Sequence, residues 1–227
     1  MNWRETLNLH IKAVVFDMDG VIFDTERLYA EAWNEVGSAM NIQQMNTILR
    51  NCIGLNGQDT KNYFMKGLGN EFPFEEFSRK TSEVFQQRIK EKGLPVKYGA
   101  KELLQFLKEQ QYKIGLASST KKSRIIEHLE NANLSDYFQV IISGDMVECG
   151  KPNPEIYLKA CDSLEVNPKE CIGIEDSPNG IRASSSAGLM TILVPDLAEV
   201  SKEVEDLLFA KMDSLIEIKK WLMKSLC

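Results

Sequence analysis

Short runs of apolar residues alternate along the chain with longer segments in which apolar residues recur every three or four positions. Such runs are typical of strands buried on both faces, and the longer spacing is typical of amphipathic helices. The predicted strands are residues 12–16, 112–117, 140–142, 171–174 and 190–194, and the predicted helices between them are residues 100–110, 123–131, 154–164 and 178–187. A last amphipathic helix contains Leu215, Ile218 and Leu222. This alternation predicts an α/β fold with helices on both faces of a parallel sheet.

The segment between the first two predicted strands has a different pattern. It is rich in helix formers and contains no convincing strand, and it predicts four helices at residues 26–40, 45–51, 57–67 and 74–92. We expect an all-helical cap domain, residues 25–93, inserted into a core domain made of residues 1–24 and 94–227. Its junctions, near Asp24-Thr25 and near Gly93, could act as hinges for closure over a site.

Composition narrows the functional class. The 227 residues include 43% hydrophobic and 26% charged residues, and the net charge of −6 gives no basic surface for nucleic acid. The sequence predicts no transmembrane stretch and no signal peptide, and hence no membrane partner. The cysteine number is odd and no Cys-x-x-Cys pair occurs, so we expect reduced thiols and a cytoplasmic location. The cysteines are Cys52, Cys149, Cys161, Cys171 and Cys227.

Two carboxylates follow the first predicted strand. Asp17 and Asp19 come directly after residues 12–16, at the end of a strand where open α/β sheets bind ligands. Carboxylates held close together repel each other, and a divalent cation commonly offsets the repulsion. A calcium loop would need Asp or Asn at position 21, which is Val21. Apolar residues on both sides of the pair also disfavour an exposed acidic turn.

Four segments together resemble the haloacid dehalogenase superfamily of phosphotransferases. The first is Phe16-Asp-Met-Asp-Gly-Val-Ile-Phe-Asp-Thr25, which is similar to the signature of that superfamily. The others are Ile114-Gly-Leu-Ala-Ser-Ser-Thr120, Lys151-Pro-Asn-Pro154 and Ile172-Gly-Ile-Glu-Asp-Ser-Pro-Asn-Gly180, which occur in the expected order. The resemblance implies a Rossmann-like core and a Mg²⁺-dependent phosphatase.

The resemblance also implies a role for each matching residue. Asp17 would attack phosphorus and form an aspartyl-phosphate, while Asp19 would act as general acid and then as general base. Glu175 would either contact the metal or orient a water molecule or the lysine from the outer shell. The implied phosphate-binding residues are Ser118, Ser119 and Lys151, and the implied Mg²⁺ ligands are Asp17, Asp19 through its backbone carbonyl, Glu175 and Asp176.

Taken alone, several of these residues have plainer interpretations. Ser118 and its neighbours could simply cap a helix, and Lys151 could be a surface lysine. A nucleotide P-loop at Gly144–Lys151 is excluded, because five residues separate the two glycines and Pro152 replaces the required Ser or Thr. His10 and His128 are expected on the surface.

The helical insertion resembles that of the β-phosphoglucomutase-like branch. Mutases of that branch carry a histidine where this chain has Tyr29 and an arginine where it has Gly57. We therefore expect hydrolysis of small phosphorylated metabolites, sugar phosphates first among them. A sugar-phosphate mutase and a non-catalytic binding or regulatory protein are the alternatives. Tyr29, Asn56 and Gln58 are the candidate cap residues for substrate contact.

Overall fold

The computed structural model describes residues 10–52 and 57–225. Six strands form one parallel sheet in the order β3-β2-β1-β4-β5-β6. The strands are β1 (Ala13–Phe16), β2 (Lys113–Ser118), β3 (Val140–Ser143), β4 (Cys171–Glu175), β5 (Met190–Leu193) and β6 (Ala210–Lys211). The predicted α/β fold with a parallel sheet is therefore confirmed.

Helices occupy most of the remaining chain. They are α1 (Thr25–Ala39), α2 (Met45–Cys52), α3 (Gly57–Leu68), α4 (Phe74–Lys92), α5 (Ala100–Glu109), α6 (Lys122–Asn131), α7 (Glu155–Ser163), α8 (Pro178–Ser186), α9 (Lys202–Glu205) and α10 (Leu215–Ser225). The chain divides into two compact units. One runs to Asp24 and resumes at Val96, and the other is Thr25–Pro95.

Strand β1 lies in the middle of the sheet, paired in parallel with β2 and β4. All four of its residues are completely buried. Since successive side chains of a strand point to opposite faces, both faces of the sheet must be covered. Val15 packs into a cluster with Tyr157 and Leu164, which the helix α7 region contributes. This burial explains why β1 is a continuous apolar run rather than an alternating one.

The helical unit has an aromatic core of its own. Trp33 of α1 contacts Phe64 of α3 and Phe77 of α4, with ring centroids 5.3 and 5.4 Å apart. Phe64 and Phe77 are fully buried, which makes them the centre of this core. Arg88 of α4 binds Glu31 and Glu35 of α1 on the outside of the unit. The four helices predicted from the sequence in this segment are all observed.

Some features differ from the sequence-based expectation. Strand β6 has two residues and helix α9 has four, which is too short for either to show a periodicity. The expectation that His128 is on the surface is wrong, because it is 8% exposed and its ring contacts Phe23. It lies on the same face of α6 as the buried Ile125 and Leu129. Burial lowers the pKa of His128.

Two observations bear on the environment of the protein. Within residues 10–52 and 57–225, no helix is long and apolar enough to cross a bilayer. The four cysteines in the described part of the chain are free thiols, namely Cys52, Cys149, Cys161 and Cys171. Cys227 lies outside the described residues.

Candidate active site

Three neighbouring strands carry polar residues at their carboxyl ends. Asp17 follows β1, Ser118 ends β2 and Glu175 ends β4, with Asp176 directly after it. Strand β1 lies between β2 and β4, so the three ends meet at one edge of the sheet. All four side chains are buried. These residues lie far apart in the sequence and share one site because of the strand order.

The Lys151 ammonium group lies inside this site. Its Nζ donates to Asp17 Oδ1 at 2.5 Å, to Glu175 Oε1 at 2.6 Å and to the backbone carbonyl of Ala117 at 3.0 Å. It also lies 5.1 Å from the centre of the Tyr157 ring, within the range of a cation–π contact. The side chain is 7% exposed, so the interpretation of Lys151 as a surface lysine is wrong.

Burial and the charge of the partner have opposite effects on the pKa values of Asp17 and Lys151. Burial raises the pKa of Asp17 to about 8, since the Lys151 charge that opposes the shift is itself countered by the charges of Glu175 and Asp19. Burial by itself would lower the pKa of Lys151, but the Asp17 and Glu175 carboxylates outweigh it and raise that pKa. Lys151 therefore stays protonated and keeps its positive charge beside Asp17.

An acidic cluster at this edge could hold a cation. Carboxylate oxygens of Asp17, Glu175 and Asp176 all lie within 4.8 Å of one another. The backbone of Gly20 passes so close to Asp176 that a Cβ at position 20 would overlap its carboxylate. The carboxylate of Asp19 is not part of this cluster. Its Oδ2 accepts a hydrogen bond from the Thr120 hydroxyl at 2.9 Å.

Both carboxylate oxygens of Glu175 accept hydrogen bonds from neighbouring side chains. Its Oε1 accepts from Lys151 and, at 2.6 Å, from the Tyr157 hydroxyl, while Oε2 accepts from the Ser177 hydroxyl at 3.2 Å. The carboxylate also lies against Gly180, where any Cβ would overlap it. This geometry supports the orientation of Lys151, which is one of the two roles that the sequence left open for Glu175. Direct metal ligation by Glu175 stays a prediction.

The loop before Lys151 is fixed by Glu155, the first residue of α7. Its carboxylate accepts from Lys159 at 2.7 Å and from the backbone N–H groups of Cys149 at 2.9 Å and Glu148 at 3.1 Å. These bonds, the Lys159 bond first, lower the pKa of Glu155 to about 2. The carboxylate therefore remains an acceptor throughout the physiological pH range.

Sequence reasoning missed Glu155 and Tyr157, and it placed Thr120 in the motif of Ser118 without a role for its hydroxyl. An acid in the first turn of a helix is common, so Glu155 gave no signal beyond the helix dipole. Tyr157 did give a signal, because it falls on the buried face of α7 with Ile156 and Ala160. A buried tyrosine hydroxyl normally has a partner, which would have prompted a search for an acceptor such as Glu175.

The other residues predicted to contact phosphate or substrate are Ser119, Tyr29, Asn56 and Gln58. Ser119 follows Ser118 but its side chain is exposed. In the helical unit, the Tyr29 ring packs against Trp33 and Phe85, with centroids 6.1 and 5.1 Å apart. Gln58 donates to Asn62 in the next turn of α3. Asn56 lies outside the described residues.

With this geometry established, comparison with known proteins decides the family. The sequence profile of haloacid dehalogenase-like hydrolases matches residues 14–194, which include every predicted site residue. The chain belongs to the haloacid dehalogenase-like hydrolases. The resemblance inferred from four short segments is therefore confirmed over most of the chain.

Relatives of this hydrolase include both phosphatases and mutases. It is 36% identical over 186 residues to the phosphorylated carbohydrates phosphatase of Thermotoga maritima, which covers 80% of this chain and 84% of the relative. It is 32% identical to the β-phosphoglucomutase of Bacillus subtilis over 194 residues, 80% of this chain and 82% of the relative. The family match and the phosphatase relative together make the chain a phosphoric monoester hydrolase.

A solved structure shows the same fold. The crystal structure of a haloacid dehalogenase family hydrolase from Deinococcus radiodurans, with bound phosphate and sodium, superposes with a TM-score of 0.81. The alignment covers 96% of this chain and 97% of that one at 24% sequence identity. At this identity, the comparison supports the fold of the present hydrolase.

Proposed function

We propose that this hydrolase is a Mg²⁺-dependent phosphatase of small phosphorylated metabolites, with sugar phosphates as the first substrate class. The observation that carries the proposal is the Lys151 ammonium, 2.5 Å from the Asp17 carboxylate and 2.6 Å from Glu175. The buried Ser118 hydroxyl ends the neighbouring strand. A carboxylate nucleophile beside a fixed ammonium and a hydroxyl suits an electrophile that is itself an anion, such as a phosphoryl group.

The reaction has two displacements. In the first, an Asp17 carboxylate oxygen forms a bond to phosphorus, the ester P–O bond breaks, and Asp19 gives its proton to the leaving oxygen. In the second, a water oxygen attacks the same phosphorus and gives a proton to Asp19, while the acyl phosphate bond breaks and inorganic phosphate leaves. Asp17 returns as a carboxylate and Asp19 as an acid. Lys151, Ser118 and Ser119 bind the phosphoryl oxygens in both displacements.

The residues present fit a magnesium ion. Carboxylate oxygens of the buried Asp17, Glu175 and Asp176 lie within 4.8 Å of one another, and the Lys151 ammonium lies against two of these acids, Asp17 and Glu175. Mg²⁺ prefers oxygen ligands of this kind. The ligands would be Asp17, Asp176 and the Asp19 backbone carbonyl, with Glu175 as a direct ligand or as the acid that orients Lys151. When bound, the cation offsets negative charge on these carboxylates and on the phosphoryl group.

Hydrolysis is favoured over phosphate transfer to a second sugar position. A mutase needs basic groups to hold the phosphate that is not reacting, and Tyr29 and Gly57 stand at the matching positions. The Tyr29 ring is engaged with Trp33 and Phe85. Water is therefore the expected acceptor. A purely regulatory protein is disfavoured, because the complete set of catalytic side chains is retained.

The proposal also covers the domain organisation, the partners and the cellular location of the protein. Residues 25–93 would be the cap that sets substrate choice, and residues 1–24 and 94–227 the catalytic core. The net charge of −6 supports the absence of a nucleic-acid partner. A cytoplasmic location is part of the proposal, and the free thiols of the described cysteines agree with it.

A screen of phosphorylated metabolites tests the function. Purified protein is incubated with sugar phosphates, polyol phosphates and nucleoside monophosphates in Mg²⁺, and inorganic phosphate is measured. We expect release from sugar phosphates, loss of activity with EDTA and recovery when excess Mg²⁺ is added. Activity that survives exhaustive metal removal would contradict the magnesium requirement. No release from any phosphate ester would contradict the function.

A further inference from the structure

The side chain of Thr120 has no part in the two displacements proposed above, yet it contacts a residue that does. It lies two residues beyond the end of β2, and its hydroxyl donates to Asp19 Oδ2 at 2.9 Å. The two residues are 101 positions apart in the sequence. The contact therefore joins the carboxyl ends of β1 and β2, and it falls on the carboxylate proposed as acid and base.

The backbone of Thr120 is fixed at both of its polar groups. Its N–H donates to the Ser118 hydroxyl at 3.1 Å, and its carbonyl accepts from the N–H of Gly144 at 3.2 Å. A Cβ at position 144 would overlap the Ser119 carbonyl, so the two loops approach as closely as a glycine permits. A β-branched side chain also has restricted rotation about χ1. The direction of the Thr120 hydroxyl is accordingly well defined.

A helix-capping role does not account for this hydroxyl. Helix α6 begins at Lys122, and its N-cap residue Lys121 makes no side-chain capping bond. The N–H of Lys122 donates instead to the Asp145 carboxylate at 3.0 Å. The Thr120 hydroxyl thus serves Asp19 and not the amides of the helix.

We propose that Thr120 is a positioning residue for Asp19, an inference that rests on the proposed function. An acid–base carboxyl group alternates between a protonated and an ionised form during the two displacements. Oδ2 can accept from Thr120 in both forms, because a protonated carboxyl group keeps one acceptor oxygen when its proton is on the other. The bond therefore reserves Oδ1 for giving a proton to the leaving oxygen and taking one from water. It also keeps Oδ1 in one place throughout the cycle.

Matched variants separate this role from a structural one. T120V removes the donor at nearly constant shape, and T120S keeps the donor. Both are compared with wild type, D19N and D19N/T120V, using p-nitrophenyl phosphate and phenyl phosphate in Mg²⁺, with folding checked by circular dichroism. Phenyl phosphate has the poorer leaving group and depends more on a correctly placed acid.

We expect T120V to lower kcat about tenfold, as for loss of a hydrogen bond to a charged group, with little change in KM. T120S should stay within about threefold of wild type, since its hydroxyl can make the same bond. The T120V defect in kcat/KM should be larger for phenyl phosphate. D19N should lose about 10²–10⁴-fold, the usual contribution of general acid–base catalysis. Adding T120V to D19N should cost nothing further, because Thr120 acts through Asp19.

The outcomes distinguish this inference from the proposed function. If D19N loses activity while T120V matches wild type, or if T120V lowers D19N further by the same factor, the positioning role is wrong and the catalytic proposal stands. If T120V does not fold, a T120S defect as large as that of D19N would overturn the inference. Full activity in D19N would overturn both.

Discussion

The Tyr157 hydroxyl donates to the Glu175 carboxylate across 2.6 Å, and both residues are completely buried. The same Oε1 atom accepts from Lys151, so the tyrosine helps to orient the acid that holds the lysine beside Asp17. Burial, with the charge of Glu175 adding to it, raises the pKa of Tyr157 well above its ordinary value. The hydroxyl therefore stays protonated and remains a donor at every working pH.

Replacing Tyr157 with phenylalanine should destabilise the protein. Y157F keeps the ring under Lys151 and removes one donor from a buried carboxylate, which typically costs about 1.5–3 kcal/mol in the free energy of unfolding. Urea denaturation measures the change. Y98F is the matched control, because Tyr98 is 76% exposed and should change stability by no more than about 0.5 kcal/mol. Equal stability of Y157F and Y98F would contradict a contribution from this bond.

Two glycines allow a test of the acidic cluster. Gly20 and Gly69 both have positive φ, +80° and +96°, so alanine at either position carries a similar backbone strain of about 1–2 kcal/mol. Only at position 20 would the new Cβ also meet Asp176, since the space at position 69 is open. We expect G20A to need about 10- to 100-fold more Mg²⁺ for half-maximal phosphate release, as for other changes that displace a ligand.

The control for this test is G69A, which should keep the Mg²⁺ dependence of wild type. Titration of phosphate release against Mg²⁺ concentration compares the two variants. If G20A and G69A respond equally to Mg²⁺, Asp176 is not a ligand whose position matters.

The central residues of the site could be predicted from sequence because each lies in a short motif, which for Asp17, Ser118 and Glu175 is at the end of a strand. Asp17 and Lys151 are 134 positions apart and lie 2.5 Å from each other. Asp17 is predicted from its place after a buried strand, whereas the role of Lys151 is predicted only by the family resemblance. The hydrogen-bond partners of the supporting residues could not be found this way. Thr120 and Tyr157 act through hydrogen bonds to residues that only the fold brings close. The sequence around each of them does not identify its hydrogen-bond partner.

The structure also differs from the sequence-based prediction at His128 and at strand β6, where the hydrophobic pattern was misjudged or too short to use. His128 is expected on the surface because its helix has polar residues next to it, although its spacing from Ile125 places it on the buried face of α6. Strand β6 has two residues, and a two-residue element carries no pattern to detect. In both cases tertiary packing decided the outcome.

The nucleophile can be tested without altering the shape of the site. D17N replaces a carboxylate with an amide of nearly equal size, and an amide does not attack phosphorus. Phosphate release should fall below detection, while the circular dichroism spectrum stays that of wild type. D145N, at an exposed aspartate beside β3, is the control and should keep activity. Full turnover by folded D17N would rule out an aspartyl-phosphate on this residue.

The most direct test of the account is to follow both products from one sugar phosphate. Hydrolysis and mutation share the transfer of the phosphoryl group to Asp17, and they differ in whether water or a sugar hydroxyl takes it next. β-Glucose 1-phosphate is supplied in Mg²⁺ with a trace of glucose 1,6-bisphosphate, and free phosphate and glucose 6-phosphate are measured together. Because Tyr29 and Gly57 replace the basic residues of a mutase cap, free phosphate should exceed glucose 6-phosphate. Glucose 6-phosphate appearing much faster than free phosphate would contradict the assignment as a phosphatase.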